Sequence, residues 1–540
     1  MTDRRWLLVL IAVSRVLRLA FAWSVGPGND EAYHALFALH LDWSYFDHPP
    51  MMALIARLGL FLSRGHLSIG AMRAGFIGLG AGSTWVMARL TTRFYGQRAG
   101  LIAAFLLNAT AYFGVATGTF ILPDGPLLFF WLLTLDCMAA AFLATGRLGP
   151  WIGVGLAWGC ALLSKYHAVF LPMGATLFMV VEPMARRRLR EPGPYLAFGL
   201  GLLMFSPVIW WNATHGWASF AFQGERAQSG GGFRADFLAQ AVLGQMLYLL
   251  PWIWLPLWAA LIRAGRASSD KDATSERFFL SQAAVPTMIF LFVSCQRMIL
   301  PHWSLVGMLP AFPLLGRDWS SLQLRTLRRR VVIFALIPVI GIAAFVGEAR
   351  WGVLQRLARH QPDLLVRTNA KSRGWISKAM SKVHWLVMLA SANDPTVDMS
   401  GWDQVANELK NRGLLDTSGT FLFTSKWYHS GHLAFATGNR VPILCYSARS
   451  AHNFAFWEDS AHWLGHDGIL LVINETTTEP EAFARWFDRI EPLGEFSVER
   501  AGSVVRRVRL YRCVHQLRPF PELPPVPAIG PIKQMTLPPV

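Results

Sequence analysis

The stretch "GPGNDEAYHALFALHLDWSYFDHPP", residues 26–50, follows a wholly apolar segment and places Asp30, Glu31, Asp42, Asp47 and His48 in one short loop. A charged side chain at mid-bilayer costs on the order of 2.5 to 3.5 kcal/mol, so ionisable groups beside membrane spans tend to mark pathways or sites. The meaning of this loop therefore depends on whether its surroundings are membrane.

They are. The chain has 540 residues, 53% hydrophobic and 15% charged, with 23 Trp and 36 Phe, which is more apolar and less charged than soluble domains. A crossing needs about 20 apolar residues. Apolar segments occur near 6–25, 67–91, 99–116, 125–143, 151–164, 166–182, 194–211, 237–262, 278–295, 303–316 and 331–347. The composition predicts a polytopic α-helical membrane protein with roughly eleven spans.

The first segment opens with "MTDRRWLLVL", carries Arg15 and Arg18 internally, and has no small-residue cleavage site after it. It reads as an uncleaved anchor with a cytoplasmic N-terminus. Alternating from there, Arg93 and Arg98, Arg147, "ARRRLR" from Ala185, Arg263, Arg266 and Lys271, and "RTLRRR" from Arg325 share the cytoplasmic face. That is the positive-inside pattern, and it accounts for much of the net charge of +17 without nucleic acid.

The other connections fall outside: the opening loop, "FILPDGP" around Asp124, "LLSKYHA" around Lys165, "WNATHGW" around His215, and "SCQRMILPHW" with Arg297 and His302. Each residue alone has a structural explanation. Lys165 can snorkel, Asp124 can open a Pro-Asp-Gly turn, and Asp30 with Glu31 can cap the following helix. Gathered on one face, they also suit chemistry at a membrane surface. A carboxylate pair supplies a general base, and Lys165, His48 and Arg297 are cationic partners for a phosphate. Such a set fits a substrate with a lipid tail and an interfacial phosphate as leaving group.

At these motifs the sequence resembles the GT-C superfamily of membrane glycosyltransferases, in the bacterial branch of lipid A aminoarabinose transferases and protein O-mannosyltransferases. The resemblance rests on "DEAYH" at Asp30, "YFDHPP" at Tyr45, "LPDGPLLFFW" at Leu122 and "GLAWGCALLSKYHAVFLP" at Gly155, and covers about the first 320 residues. It implies a GT-C-type transmembrane domain of about 11 to 13 helices that inverts the anomeric centre of a polyprenyl (undecaprenyl) phosphate sugar. Asp30 would be the base that deprotonates the acceptor, with Glu31 its companion, and Lys165 would meet the lipid phosphate. Asp47 and His48 stand where the aminoarabinose transferases carry Glu-Lys, so His48 is either a phosphate contact or, with Asp47, a metal ligand. Asp124 matches the acid of the family's Pro-Asp turn. Tyr45, Tyr166, Arg297 and His302 complete the candidates. No cofactor is required by the sequence, and a divalent metal is left open. The acceptor, whether lipid, glycan or protein, is unspecified.

After about residue 347 the texture changes. "FATGNRVPILCYS", "HDGILLVIN" and "FSVERAGSVVRRVRLYRC" alternate as strands do, and "GWDQVANELKNRG" has helical spacing ending at a glycine. The expected organisation is a transmembrane domain over 1–347 with its catalytic loop at 26–66, a periplasmic α/β domain over 348–520, and a Pro-rich tail over 521–540. His429, His432 and His452 with nearby aromatics make a candidate sugar-contacting surface there, against a plain core with surface histidines. Cys445 and Cys513 would share an oxidising compartment, leaving a disulfide open. The location implied is the bacterial inner membrane. The competing class is a transporter or lipid flippase, which would bind near mid-bilayer between repeated halves; the charges here sit at outer ends.

Overall fold

The computed structural model describes residues 2–143, 146–227, 232–266, 273–354, 356, 394–416, 419–448, 450–474 and 480–520; the expected tail lies outside them. Among the described residues fifteen α-helices lie between Thr2 and Trp351: α1 Thr2–Ala22, α2 Asn29–Phe37, α3 Met51–Leu62, α4 Ile69–Asn108, α5 Asp124–Leu143, α6 Leu148–Ser164, α7 Phe170–Val181, α8 Pro183–Arg186, α9 Pro192–Thr214, α10 Ala218–Ala227, α11 Ala235–Leu249, α12 Pro251–Arg266, α13 Ala273–Ser294, α14 Ala311–Ser320 and α15 Leu324–Trp351. The chain falls into two units. One comprises the residues up to Ala22 with Leu41–Val339; the other comprises Trp23–His40 with the chain from Ile340 onward. The loop expected at 26–66 is thus divided between them.

The first unit is helical and membrane-like. Among the described residues four helices, α5, α9, α13 and α15, the last of which runs from this unit into the second, are long and apolar enough to cross a bilayer alone, and up to six crossings result if two bent pairs each count once. These four coincide with the expected spans at 125–143, 194–211, 278–295 and 331–347. The expected span at 237–262 is instead two helices, α11 and α12, meeting at 109°. Leu250 adopts φ 67° there, and Pro251 has no N–H to continue the helical ladder. The expected spans at 67–91 and 99–116 are largely one helix, α4, broken at Gly96 with φ 84° and ψ 168°, a conformation natural only to glycine. The segment expected at 303–316 is a 3₁₀ turn, Pro301–Met308, followed by α14. Trp131, Leu132 and Leu135 of α5 pack with Leu106 and Leu107 of α4 and Phe312 of α14 in the core.

The second unit holds a five-stranded sheet: β1 Thr420–Thr424, β2 Ile443–Cys445, β3 Asp467–Ile473, β4 Phe487–Arg500 and β5 Ser503–Gln516, in the order β2-β1-β3-β5-β4. β1 runs parallel to β2 and β3, and β5 runs antiparallel to β3 and β4. Three further helices, α16 Trp402–Asn411, α17 Trp427–Ala436 and α18 Phe454–Trp457, belong to this unit. Parallel strands need a crossover, and α17 supplies it between β1 and β2. The strands expected around "VPILCYS", "HDGILLVIN" and "FSVERAGSVVRRVRLYRC" are present, whereas "FAT" lies at the end of α17. Phe421, Phe423, Leu444, Leu470 and Phe487 form the core. Cys445 and Cys513 are free and buried. They lie on β2 and β5, three strand spacings or roughly 14 Å apart, too far for a disulfide.

Arg500 on β4 gathers an ion-pair cluster within this unit. Its guanidinium reaches Asp394 at 2.6 Å and Glu348 of α15 at 3.4 Å, and donates to the Thr396 hydroxyl at 2.7 Å.

Candidate functional site

The chain breaks helix at the points where charge is needed. α6 ends at Ser164, and Lys165 is extended (φ −160°, ψ 142°) before a 3₁₀ turn over Tyr166–Val169. The Lys165 N–H still bonds the Ala161 carbonyl at 3.0 Å, so the side chain leaves a fixed backbone. Asp124 begins α5, where a carboxylate faces the positive end of the helix dipole. Lys165 Nζ lies 2.8 and 3.0 Å from the two Asp124 oxygens, with the side chains only 6% and 10% exposed. A buried lysine remains charged only with such a partner.

Around this pair the first unit gathers further polar groups. The Tyr112 ring stacks on His302 with centroids 5.7 Å apart. Its hydroxyl is buried beside the Asp124 carboxylate without completing a hydrogen bond of good geometry. His167 is buried where Lys165, Asp124, His302 and His48 all act on it electrostatically. The Tyr166 hydroxyl bonds Ser219 at 2.7 Å and lies near Ser44 and Asp47. Gln223 of α10 donates to the Asp47 carbonyl at 2.8 Å. Tyr45 accepts from the Asp42 N–H at 3.2 Å, and the Asp42 carboxylate accepts from Trp211 Nε1 at 2.8 Å.

Of the residues predicted for this unit, Asp47, His48, Asp124, Lys165, Tyr166 and His302 therefore come together. Tyr45 braces the loop that carries Asp47 and His48. The Arg297 guanidinium donates to the Glu225 carbonyl. Asp47 and His48 offer a carboxylate and an imidazole for a divalent cation.

Asp30 and Glu31 belong to the second unit, at the start of α2. Asp30 is exposed and Glu31 is buried. Glu31 Oε2 accepts from the Gly28 N–H at 3.3 Å, the return half of a capping box. The neighbouring Asn29 donates to Asp398 at 2.8 Å and contacts His432 Nε2 at 3.0 Å. His432 stacks on Trp402 with centroids 4.4 Å apart, and Arg506 covers the same indole. Burial pushes the His432 imidazole well below its ordinary range, burial and nearby Arg506 lower His429 to about 3, and burial lowers Arg506 to about 10. Tyr33 accepts from the Asn453 N–H at 3.0 Å amid Trp427, His452, Phe454 and Trp457. Gly431 of α17 abuts the Tyr33 backbone so closely that a Cβ would sit 3.0 Å away.

Two residues escaped the sequence reading. Tyr112 lies in an apolar run and gives no pattern of its own. Arg18 was visible inside an apolar span but was assigned only to topology. Its Nε bonds the Gly114 carbonyl at 2.9 Å and its Nη2 bonds Asn108 Oδ1 at 2.8 Å. It thereby fixes the π-turn over Ala111–Ala116 that carries Tyr112.

The model of the family described as dolichyl-phosphate-mannose-protein mannosyltransferase matches residues 47–211. The lipid A galacturonosyltransferase RgtD of Rhizobium johnstonii is 28% identical over 221 residues, 40% of this chain and 45% of that relative. The chain thus matches less than half the length of RgtD. ArnT of Cupriavidus metallidurans superposes with a TM-score of 0.59 when bound to undecaprenyl phosphate and 0.60 in the apo state. The identities are 18% and 17%, covering 94% and 95% of this chain and 98% of each ArnT chain. The chain has the fold of ArnT. The family match runs from Asp47 to Trp211. It takes in Asp124, Lys165 and Tyr166 and leaves Asp30, Glu31, Arg297 and His302 outside.

Proposed function

We propose that this protein is an inverting glycosyltransferase of the bacterial inner membrane, moving a sugar from a polyprenyl (undecaprenyl) phosphate to a hydroxyl-bearing acceptor on the periplasmic side. The observation that carries the reading is the buried Lys165–Asp124 pair, set at a helix break between apolar spans of a GT-C fold. Lysine has three donors. Two engage Asp124, and the third is available to a phosphate oxygen. Asp124 aims Lys165, while His48 is a second contact for the phosphate.

In the reaction the acceptor oxygen attacks the anomeric carbon from the face opposite the phosphate. The new carbon–oxygen bond forms as the bond to the phosphate oxygen breaks, and the polyprenyl phosphate departs with that electron pair. Lys165 balances the charge growing on the leaving phosphate, a role in which preorganised cations lower barriers most. The acceptor proton passes to Asp30, with Glu31 holding the start of α2. The name of the curated relative puts a galacturonosyl donor and a lipid A acceptor first among those to test.

The test is mass spectrometry of membrane lipids, envelope glycans and exported proteins from cells with the wild-type protein, without it, and with Asp30→Asn. A sugar mass missing from one class in both the deletion and the variant supports the reading and identifies the acceptor. No difference in any class, with the protein present, counts against it.

A further inference from the structure

A second polar cluster lies within the first unit, away from the pair that carries the proposed reaction. Asp136 of α5 is buried and is held by two guanidinium groups from α4, Arg89 and Arg93, the latter at 3.1 Å. Asp136 follows Asp124 by twelve residues, about 18 Å along a helix, so the two clusters occupy different levels of the bundle. Beside it opens a pocket of about 380 Å³ lined by Asp3, Arg4 and Leu7 of α1 and by Trp85, Arg89 and Arg93 of α4, among others.

The lining carries Arg4, Arg89 and Arg93 with one carboxylate, Asp3, and Asp136 pairs with Arg89 and Arg93; among these described residues the formal excess is one positive charge. The Arg89 guanidinium lies over the Trp85 ring, 4.6 Å from its centroid, and a planar guanidinium is suited to phosphate oxygens. Apolar surface adjoins the charge. Leu8, one helical turn from Arg4, is 60% exposed, and Trp85, one turn from Arg89, is 45% exposed. Exposed tryptophan beside arginine is the pattern of a membrane–water interface.

We propose that this pocket binds the headgroup of an anionic membrane phospholipid. Its single phosphodiester charge meets Arg4, Arg89 and Arg93, and its acyl chains lie against Leu8 and Trp85. Charge complementarity selects a monoanionic lipid over a zwitterionic one, because the pocket's excess is one positive charge.

Native mass spectrometry of the full chain, released from vesicles of equimolar phosphatidylglycerol and phosphatidylcholine, tests this. The wild type should retain phosphatidylglycerol over phosphatidylcholine. Arg4→Gln and Arg93→Gln should each lower that retention about five-fold, the usual effect of one basic residue at an anionic lipid surface. Both variants keep Arg89 on Asp136, and a thermal melt establishes that they are folded. Equal retention of the two lipids by the wild type would overturn the proposal, as would unchanged retention in both folded variants. Displacement of phosphatidylglycerol by millimolar inorganic phosphate would also overturn it, marking a site for a free anion. A transferase that fails in every activity assay would leave this result unaffected, and the reverse also holds.

Discussion

Lys165 and Asp124 form a two-contact ion pair, Nζ to both carboxylate oxygens at 2.8 and 3.0 Å, in a place where both side chains are nearly buried. Each residue is what makes the other tolerable. Breaking such a pair from one side costs about 3 to 5 kcal/mol, whereas replacing both partners is often neutral. Lys165→Met and Asp124→Leu should each lower the melting temperature sharply, and the double variant should regain most of it. Donor lipid binding should be lost in all three. Recovery of binding in the double variant would remove Lys165 from the phosphate contact.

Asp30 and Glu31 are adjacent yet should behave oppositely. Asp30 is exposed and Glu31 is buried at the cap of α2. Asp30→Asn should leave the thermal melt within about 0.5 kcal/mol and cut turnover by roughly 100-fold to 10,000-fold. Glu31→Ala should cost about 1 to 3 kcal/mol of stability through the unmet Gly28 N–H. Normal turnover by Asp30→Asn would end its assignment as the base.

Arg18 is a positioning residue. Arg18→Met removes the side-chain donor from the buried Gly114 carbonyl, at about 1 to 3 kcal/mol, while Asn108 keeps its bonds to Thr84 and the Ala104 carbonyl. The π-turn bearing Tyr112 should loosen beside Asp124. Donor KM should then rise, and Arg18→Lys should restore part of the lost stability but not the two-point grip. A variant with unchanged donor KM would confine Arg18 to topology.

His429 and His432 make the second unit sensitive to acid. Both have folded values below the unfolded one of about 6.5. Above pH 6.5 both states hold them neutral and they contribute no pH dependence. As the pH falls below 6.5, the unfolded chain takes up protons that the fold refuses, so stability drops by up to about 1.4 kcal/mol per pH unit for each histidine. Thermal melts of the full chain between pH 7.5 and 5 should show this fall, and the His429→Asn, His432→Asn variant should show a shallower one.

What could be read from the chain alone follows from how far each residue's role depends on distant partners. Asp124 and Lys165 were legible because charge at the end of an apolar span is costly wherever the chain goes. The spans at 125–143 and 278–295 were legible from length. The bend at Leu250 was hidden because Pro251 within an apolar run reads equally as a tolerated kink. β1 was hidden because four successive buried residues, Phe421–Thr424, show no alternation. Tyr112 was hidden because its neighbours Asp124 and His302 come from other elements, and spacing carries no trace of that. Arg18 was seen but undervalued, since a basic residue near a first span also serves orientation.

The partners of α2 carry a consequence for biogenesis. Asn29 and Tyr33 bond Asp398, His432 and Asn453, partners separated from them by 369 to 420 residues of chain. A ribosome adding about 5 to 20 residues per second emits the helix bearing Asp30 tens of seconds before those partners exist. A helix made early is thus among the last to find its native place. The proposed base would stay unseated until Asp398, His432 and Asn453 had been made.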